Sequence, residues 1–303
     1  MHNMKQEIID TIKELCLDVL VNEPMSKHTT FRIGGAADVF ANPTMDELIK
    51  LIAFCKSNEV PYMIMGNGSN MLVSDKGIEG LVISIGKNMS DISIDGRYIV
   101  AQAGALLSAT ANRACDASLT GFEFAAGIPG TVGGAVVMNA GAYGGQIADC
   151  IVECEVLTAE GTIVKWTKDM LDLDYRHSVF MECDDVILSA VFELTHDEAS
   201  SVRNLMEELR AKRIDKQPLN YPSAGSTFKR PQGYFAGKLI EDAGLKGYCV
   251  GGAQVSEKHC GFVVNKGDAT CEDVLELIKY VDQVVYEKNN VHLEPEIRIV
   301  GRF

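Results

Sequence analysis

The chain opens on an amphipathic pattern. MHNMKQEIIDTIKELCLDVL interleaves charged and apolar positions, with Ile8, Ile12, Leu15 and Val19 recurring at helical spacing, and this predicts a helix. ADVFANP reads as a short strand, and Thr44-Met45-Asp46-Glu47 has the spacing of a capping box that opens a helix through LIKLIAFCKSN. PYMIM and LVISIG, on either side of GNGSNMLVSDKGIEG, read as two further strands, so the first unit is βα-like. From about residue 87 to 195 the pattern turns strand-rich and glycine-rich. There IVECEVLTAEGTIVKW reads as a hairpin about Glu160-Gly161, and ALLSATANRACDAS as a helix. A charged helix over roughly 197–213 precedes a last unit with a short helix near YFAGKLIEDAG, a strand at GFVVN, a long helix from Cys271 to Lys288 and a final strand in LEPEIRIV. No repeat or low-complexity linker interrupts this order. The reading is α+β in three units, with boundaries at 1–86, 87–200 and 201–303.

Composition narrows the partners. The 303 residues are 47% hydrophobic and carry a formal net charge of −14, so the overall field repels nucleic acid and anionic lipid, and an anionic small ligand needs locally clustered cations. No stretch approaches the eighteen apolar residues of a membrane span, and the N-terminal segment lacks the uninterrupted apolar region of a signal peptide. Nine cysteines without a CxxC pair read as reduced, mostly buried thiols of a cytoplasmic protein. Cys150 and Cys154 have no ligand partners at zinc spacing, so no metal is expected.

Three glycine-containing stretches carry the candidate chemistry. Gly66-Asn67-Gly68-Ser69-Asn70 follows a strand but lacks the third glycine of a dinucleotide fingerprint and leads into MLVSDKG, which argues against a Rossmann unit. It is either an anion-binding nest of backbone N–H groups or an ordinary tight loop. The second loop runs through Gly127, Ile128, Pro129, Gly130, Thr131, Val132, Gly133 and Gly134, and Asn139-Ala140-Gly141 continues it. Two such loops suggest an extended phosphate-bearing cofactor, with a pair of structural turns as the alternative. In SAGSTFKRP, Gly225 permits a sharp turn beside the hydroxyls of Ser226 and Thr227 and the charges of Lys229 and Arg230. That suits a small anion, or simply a surface turn ended by Pro231.

Taken in order with HTTFRIGGAAD, YRHS, RIDKQP, AGSTFKRP and LEPEIRIVG, these loops resemble the UDP-N-acetylenolpyruvoylglucosamine reductases, the MurB family of flavoenzymes, over nearly the whole chain. The short run from YRHS to the helix near residue 197 resembles the type II form. The resemblance implies two FAD-binding subdomains of the vanillyl-alcohol-oxidase (PCMH) type followed by an α+β substrate-binding domain. It implies NADPH-dependent, FAD-mediated reduction of UDP-N-acetylglucosamine enolpyruvate to UDP-N-acetylmuramate in peptidoglycan precursor synthesis, with noncovalent FAD and NADPH as co-substrate. It places Gly66, Asn67, Gly68, Ser69, Asn70, Gly127, Ile128, Pro129, Gly130, Gly133, Gly134, Asn139, Ala140 and Gly141 along FAD, and makes Arg176, Ser226 and Glu296 the catalytic set. Tyr175, Arg213, Lys216, Lys229 and Arg230 face the substrate, although Arg230 stands where some members have asparagine.

The residue types suit that chemistry. Hydride arriving at the terminal carbon of an enolpyruvyl ether drives charge onto the neighbouring carbon and its carboxylate. A guanidinium such as that of Arg176 matches carboxylate oxygens with a planar fork. An enolate is basic enough to take a proton from a serine hydroxyl within hydrogen-bond reach. Glu296 either hydrogen-bonds the substrate as an acid or orients another donor, and Glu294 is its neighbour on the same segment. His28 and His177 are read as structural. An oxygen-using FAD oxidase of the same cofactor fold and a noncatalytic sugar-nucleotide or flavin-binding protein remain alternatives at this stage.

Overall fold

Ile9 and Ile12 bury one side of the first helix, Gln6–Leu15, and the periodicity of MKQEIIDTIKEL is met. The computed structural model describes residues 4–303. The helix stops short of Val19, which instead starts the strand Val19–Pro24. The cause is tertiary: Cys16 is extended, and the N–H of Leu17, which is 94% exposed, donates to Glu47 Oε1 at 3.1 Å, pulling the chain out of helical geometry. Glu47 also closes the capping box on Thr44, so the Met45–Ser57 helix begins where the sequence places it. That box holds the Glu47 carboxyl below its ordinary pKa, chiefly through the Thr44 N–H.

A four-stranded sheet has the order Val19–Pro24, Ala36–Ala41, Ile78–Ser84, Tyr62–Met65. A five-stranded antiparallel sheet has the order Ile163–Thr167, Ile151–Leu157, Val186–Glu193, Tyr98–Gln102, Ile92–Asp95. The expected hairpin is its edge: Leu157 faces Ile163, and Gly161 makes the turn with φ 85°. Helices alternate with these sheets and with a three-stranded antiparallel sheet, Cys249–Val250, Ala253–Val255, Val263–Asn265, so the class is α+β.

The chain divides into two compact units. One comprises the residues up to Leu20, Val39–Asn67 and Leu81–Arg213; the other comprises Val21–Asp38, Gly68–Gly80 and Ile214–Phe303. The first has its own core, in which Leu48, Leu51, Leu81, Ile83, Phe122, Val136 and Phe192 are fully buried. Cys150 and Cys154 belong to it, and burial pushes both thiols up to about 12, so they are inert core residues. In the second unit, the Cys271–Asn289 helix lays Val274, Leu277, Ile278, Val281 and Val285 into a core that includes Phe31, Leu72, Ile240 and Val263. Thr270 caps that helix as a box with Asp273, a device whose loss typically costs ~1 kcal/mol.

Two further boundaries differ from expectation. The charged helix runs over Ala199–Lys216, and in LEPEIRIV only Arg298–Val300 is a strand, paired in parallel with Met71–Val73. Glu296 therefore lies just before a strand. Pro295 accounts for the late start, since it has no N–H for a ladder.

Candidate functional site

In the first unit the two glycine loops are tied together. Asn67 Nδ2 donates to the Pro129 carbonyl at 2.6 Å, and Gly66 packs so tightly on Thr131 that a β-carbon there would collide with its hydroxyl. Thr131 caps the short helix Val132–Val137, with Oγ1 accepting the Gly134 N–H at 3.4 Å. Val132, Gly133 and Gly134 of the expected second loop are thus helical, and Gly133 donates its N–H to the Ala103 carbonyl at 2.8 Å. A threonine ahead of VGGAVV is the N-cap signal that the glycines obscured. Ile128 donates to Ala125 at 3.0 Å and Ala140 to Ala135 at 2.8 Å, so their amides are already used. By contrast, the N–H groups of Gly66, Asn67, Gly130 and Thr131 have no acceptor among the described residues. Unspent backbone donors on two joined loops suit an extended anionic group such as a dinucleotide pyrophosphate.

Arg176 sits on a tight turn in which Asp174 and His177 exchange backbone hydrogen bonds at 3.3 and 3.1 Å. Its φ of 54° is left-handed, a conformation that non-glycine residues rarely hold and that concentrates at functional sites. The guanidinium donates to the Gly141 carbonyl at 3.1 Å and the Asn139 carbonyl at 3.5 Å, with its carbon 5.1 Å from the Tyr175 ring centroid. Asn139 is 1% exposed. Its amide donates to Asp174 O at 2.9 Å and Gln146 Oε1 at 3.3 Å, while its side-chain oxygen accepts from Ala148 N at 2.9 Å. That side chain fastens the Arg176 turn and leaves only backbone to a cofactor. Arg213 lies on the other loop: a β-carbon at Gly127 would come 2.8 Å from its Cδ. Burial pushes its guanidinium below the ordinary pKa, the nearby Tyr143 acts against this, and no carboxylate among the described residues forms a salt bridge with it. A desolvated cation without a counter-charge attracts an anion strongly.

In the second unit Gly225, with φ 80°, makes the expected turn, and the residues after it zip onto the segment that carries Glu296. The Glu296 N–H donates to Thr227 O at 2.8 Å, Lys229 N–H donates to Glu294 O at 2.8 Å, and Phe228 bridges to Pro295. The register sets Glu296 opposite Thr227, so the segment that begins with Ser226 runs alongside the one that carries Glu296. Asn70 joins them: its side-chain amide donates to Glu296 O at 3.2 Å, and its carbonyl accepts from Arg298 N at 2.9 Å. Gly68, at φ 58°, packs on the His28 carbonyl and accepts the Thr30 N–H at 3.2 Å, while Ser69 completes the turn between Gly68 and Asn70.

The two glutamates separate clearly. Glu294 is solvent-facing, its side chain 69% exposed, and it pairs with Lys229 at 2.6 Å; Glu296 is half-buried. The remaining cations are less convergent. Arg230 turns onto the Phe235 ring at 4.0 Å and donates to Tyr234 O at 3.3 Å, and Lys216 is exposed at the end of its helix. A cavity of about 680 Å³ opens elsewhere in this unit, walled in part by Gln217, Tyr221, Lys258 and Lys266. Among the described residues, Gln217 Oε1 is the buried side-chain atom without a hydrogen-bond partner. Gln217 lies in RIDKQP, but none of the four was singled out as a site residue, because isolated polar side chains carry no spacing signal.

Residues 217–300 match the family described as UDP-N-acetylenolpyruvoylglucosamine reductase, C-terminal domain, and residues 37–167 match the FAD binding domain family. A UDP-N-acetylenolpyruvoylglucosamine reductase of Agathobacter rectalis is 55% identical, covering 99% of this chain and 100% of that protein. One of Caldanaerobacter subterraneus subsp. tengcongensis is 51% identical over 98% and 99% of the two chains. The crystal structure of the MurB reductase from Thermus caldophilus superposes with a TM-score of 0.80 at 32% identity, covering 93% of this chain and 98% of that one. On these likenesses along the full length, the chain belongs to the UDP-N-acetylenolpyruvoylglucosamine reductase family.

Proposed function

We infer that the protein is an FAD-containing oxidoreductase that uses NADPH to reduce UDP-N-acetylglucosamine enolpyruvate to UDP-N-acetylmuramate for peptidoglycan synthesis. The observation that carries this is full-length likeness at 55% identity to a reductase of that name, together with an FAD binding domain match. No helix among the described residues is long and apolar enough to cross a membrane. A nucleotide-sugar substrate supports a cytoplasmic location. The FAD portion is of the vanillyl-alcohol-oxidase type. We divide it at residues 1–86 and 87–200, each holding one of the larger sheets, and assign 201–303 to substrate.

Bound FAD supplies a two-electron carrier between NADPH and the enolpyruvyl double bond. The joined loops hold its pyrophosphate through the unspent N–H groups of Gly66, Asn67, Gly130 and Thr131. As the double bond is reduced, negative charge grows on the substrate carboxylate and adjacent carbon. Arg176 meets that charge with a guanidinium already oriented by two carbonyls. The Ser226 hydroxyl delivers the proton to the carbon. Glu296, held by its backbone to Thr227 and Asn70, hydrogen-bonds the same end of the substrate. Arg213 faces an anionic group from its desolvated seat, Tyr175 flanks Arg176, and Lys216, Lys229 and Arg230 supply further charge toward the substrate's phosphates. The cavity beside Gln217 supports a nucleotide as well: its lysines suit phosphate, and its unpartnered oxygen suits a base N–H.

The purified protein is expected to be yellow and to release FAD on denaturation. Anaerobic NADPH should bleach the flavin, and UDP-N-acetylglucosamine enolpyruvate should restore its colour. A colourless protein that takes up no added FAD, or a reduced flavin indifferent to that substrate, refutes the assignment. Rapid reoxidation by oxygen with no response to the UDP-sugar would favour an oxidase instead.

Glu296→Gln is expected to lower turnover by roughly 10²-fold, in the range of acid–base contributions. Glu294→Gln should stay within about threefold, because an exposed ion pair contributes little. Side-by-side steady-state rates on folded protein decide this, and the opposite ranking would assign the role to Glu294.

A further inference from the structure

Thr227 spends three hydrogen-bonding groups on two different segments. Its N–H donates to Gly261 O at 2.8 Å, its carbonyl accepts the Glu296 N–H at 2.8 Å, and its Oγ1 accepts the Val263 N–H at 2.9 Å. It is 1% exposed. Val263 begins the strand Val263–Asn265 and is itself part of the core that includes residues of the Cys271–Asn289 helix, so the hydroxyl is anchored to the packed part of the unit. Ser226 is the next residue toward the N-terminus, on a glycine turn that by itself has rotational freedom. One residue therefore links the glycine turn, the core sheet through its side chain and the Glu296 segment through its backbone.

We propose that Thr227 is a positioning residue: its Oγ1 contact to Val263 sets the placement of the Ser226 hydroxyl relative to the Glu296 segment during substrate reduction. This rests on the reading of Ser226 as proton donor. Without the hydroxyl, the buried Val263 N–H loses its acceptor and the turn can shift. A misplacement of about 1 Å at a reacting group costs about 10²-fold in rate. The contact has no part in flavin reduction by NADPH, which takes no proton from Ser226.

The test compares Thr227→Val, which keeps the shape and removes the acceptor, with Thr227→Ser, which keeps the acceptor. Both half-reactions are followed by anaerobic stopped-flow absorbance, and exchange of the Val263 amide by hydrogen–deuterium measurement. The expected result for the valine variant is reoxidation by substrate slowed by about 10- to 100-fold, NADPH reduction within about twofold of the parent, and faster exchange at Val263. The serine variant should reoxidise within about threefold of the parent. Ser226→Ala and the Ser226→Ala/Thr227→Val double variant are measured in parallel. If Thr227 acts through Ser226, the double variant is no slower than Ser226→Ala alone, because the two losses are not additive. Parent-like reoxidation in Thr227→Val, equal slowing of both half-reactions, or additive losses would each overturn the proposal. So would a serine variant slowed tenfold, a result that stands even where the valine variant fails to fold. Parent-like reoxidation of Ser226→Ala is a different failure: it removes the proton-donor reading and the inference with it.

Discussion

Ser226→Ala is expected to leave reduction of the bound flavin by NADPH almost unchanged and to slow its reoxidation by UDP-N-acetylglucosamine enolpyruvate by about 10² to 10⁴-fold, the usual contribution of a general acid. The substitution removes one oxygen from a half-buried position. The contacts that shape the segment belong to neighbours, namely the Thr227 amide on Gly261, the Thr227 carbonyl under Glu296, and the Lys229 amide on Glu294. The turn should therefore survive and only the proton should be lost. Serine is a weak acid in water, but the enolate formed on reduction is a strong enough base that position matters more than acidity. Stopped-flow absorbance separates the two half-reactions in one sample. Reoxidation at the parent rate, or damage confined to the NADPH step, would return the stretch to being a turn.

Arg176→Lys should keep flavin and lower turnover at saturating substrate by about 10² to 10³-fold, or ~3–4 kcal/mol, the cost of losing a donor to developing negative charge. Lysine retains the charge, and a left-handed φ strains it no more than arginine, so backbone effects largely cancel. What changes is geometry. The guanidinium is planar and is aligned by the carbonyls of Gly141 and Asn139 and by the Tyr175 ring, leaving its fork defined in space. A lysine ammonium has no plane to align and cannot offer a carboxylate two parallel bonds. The expected pattern is a fall in kcat with flavin content and reduction by NADPH close to the parent. Unchanged kcat would make Arg176 an ordinary surface cation.

Local pattern determined much of this protein. The 3.6-residue spacing of Val274, Leu277, Ile278, Val281 and Val285 specifies the long helix and its buried face, and Thr270 and Thr44 mark their helix starts, because caps and periodicity are properties of adjacent residues. Gly161 marks the hairpin for the same reason. The order of short motifs was enough to name the family, and the choice of Arg176, Ser226 and Glu296 rests on that resemblance. The tertiary structure decided what covers what. Val19 fits the helical period, yet Glu47 takes the Leu17 N–H and turns the chain into a strand. GIPGTVGG reads as loop throughout, yet Thr131 caps a helix within it. Arg298–Val300 finds its partner in Met71–Val73 across more than two hundred intervening residues, and Thr227 reaches Val263 and Glu296 through contacts that no spacing encodes. A sequence records which face of an element is apolar and where a turn is cheap. It does not record which distant donor meets which acceptor, because hydrogen bonds between remote segments depend on how the cores pack, and packing is a property of the whole chain.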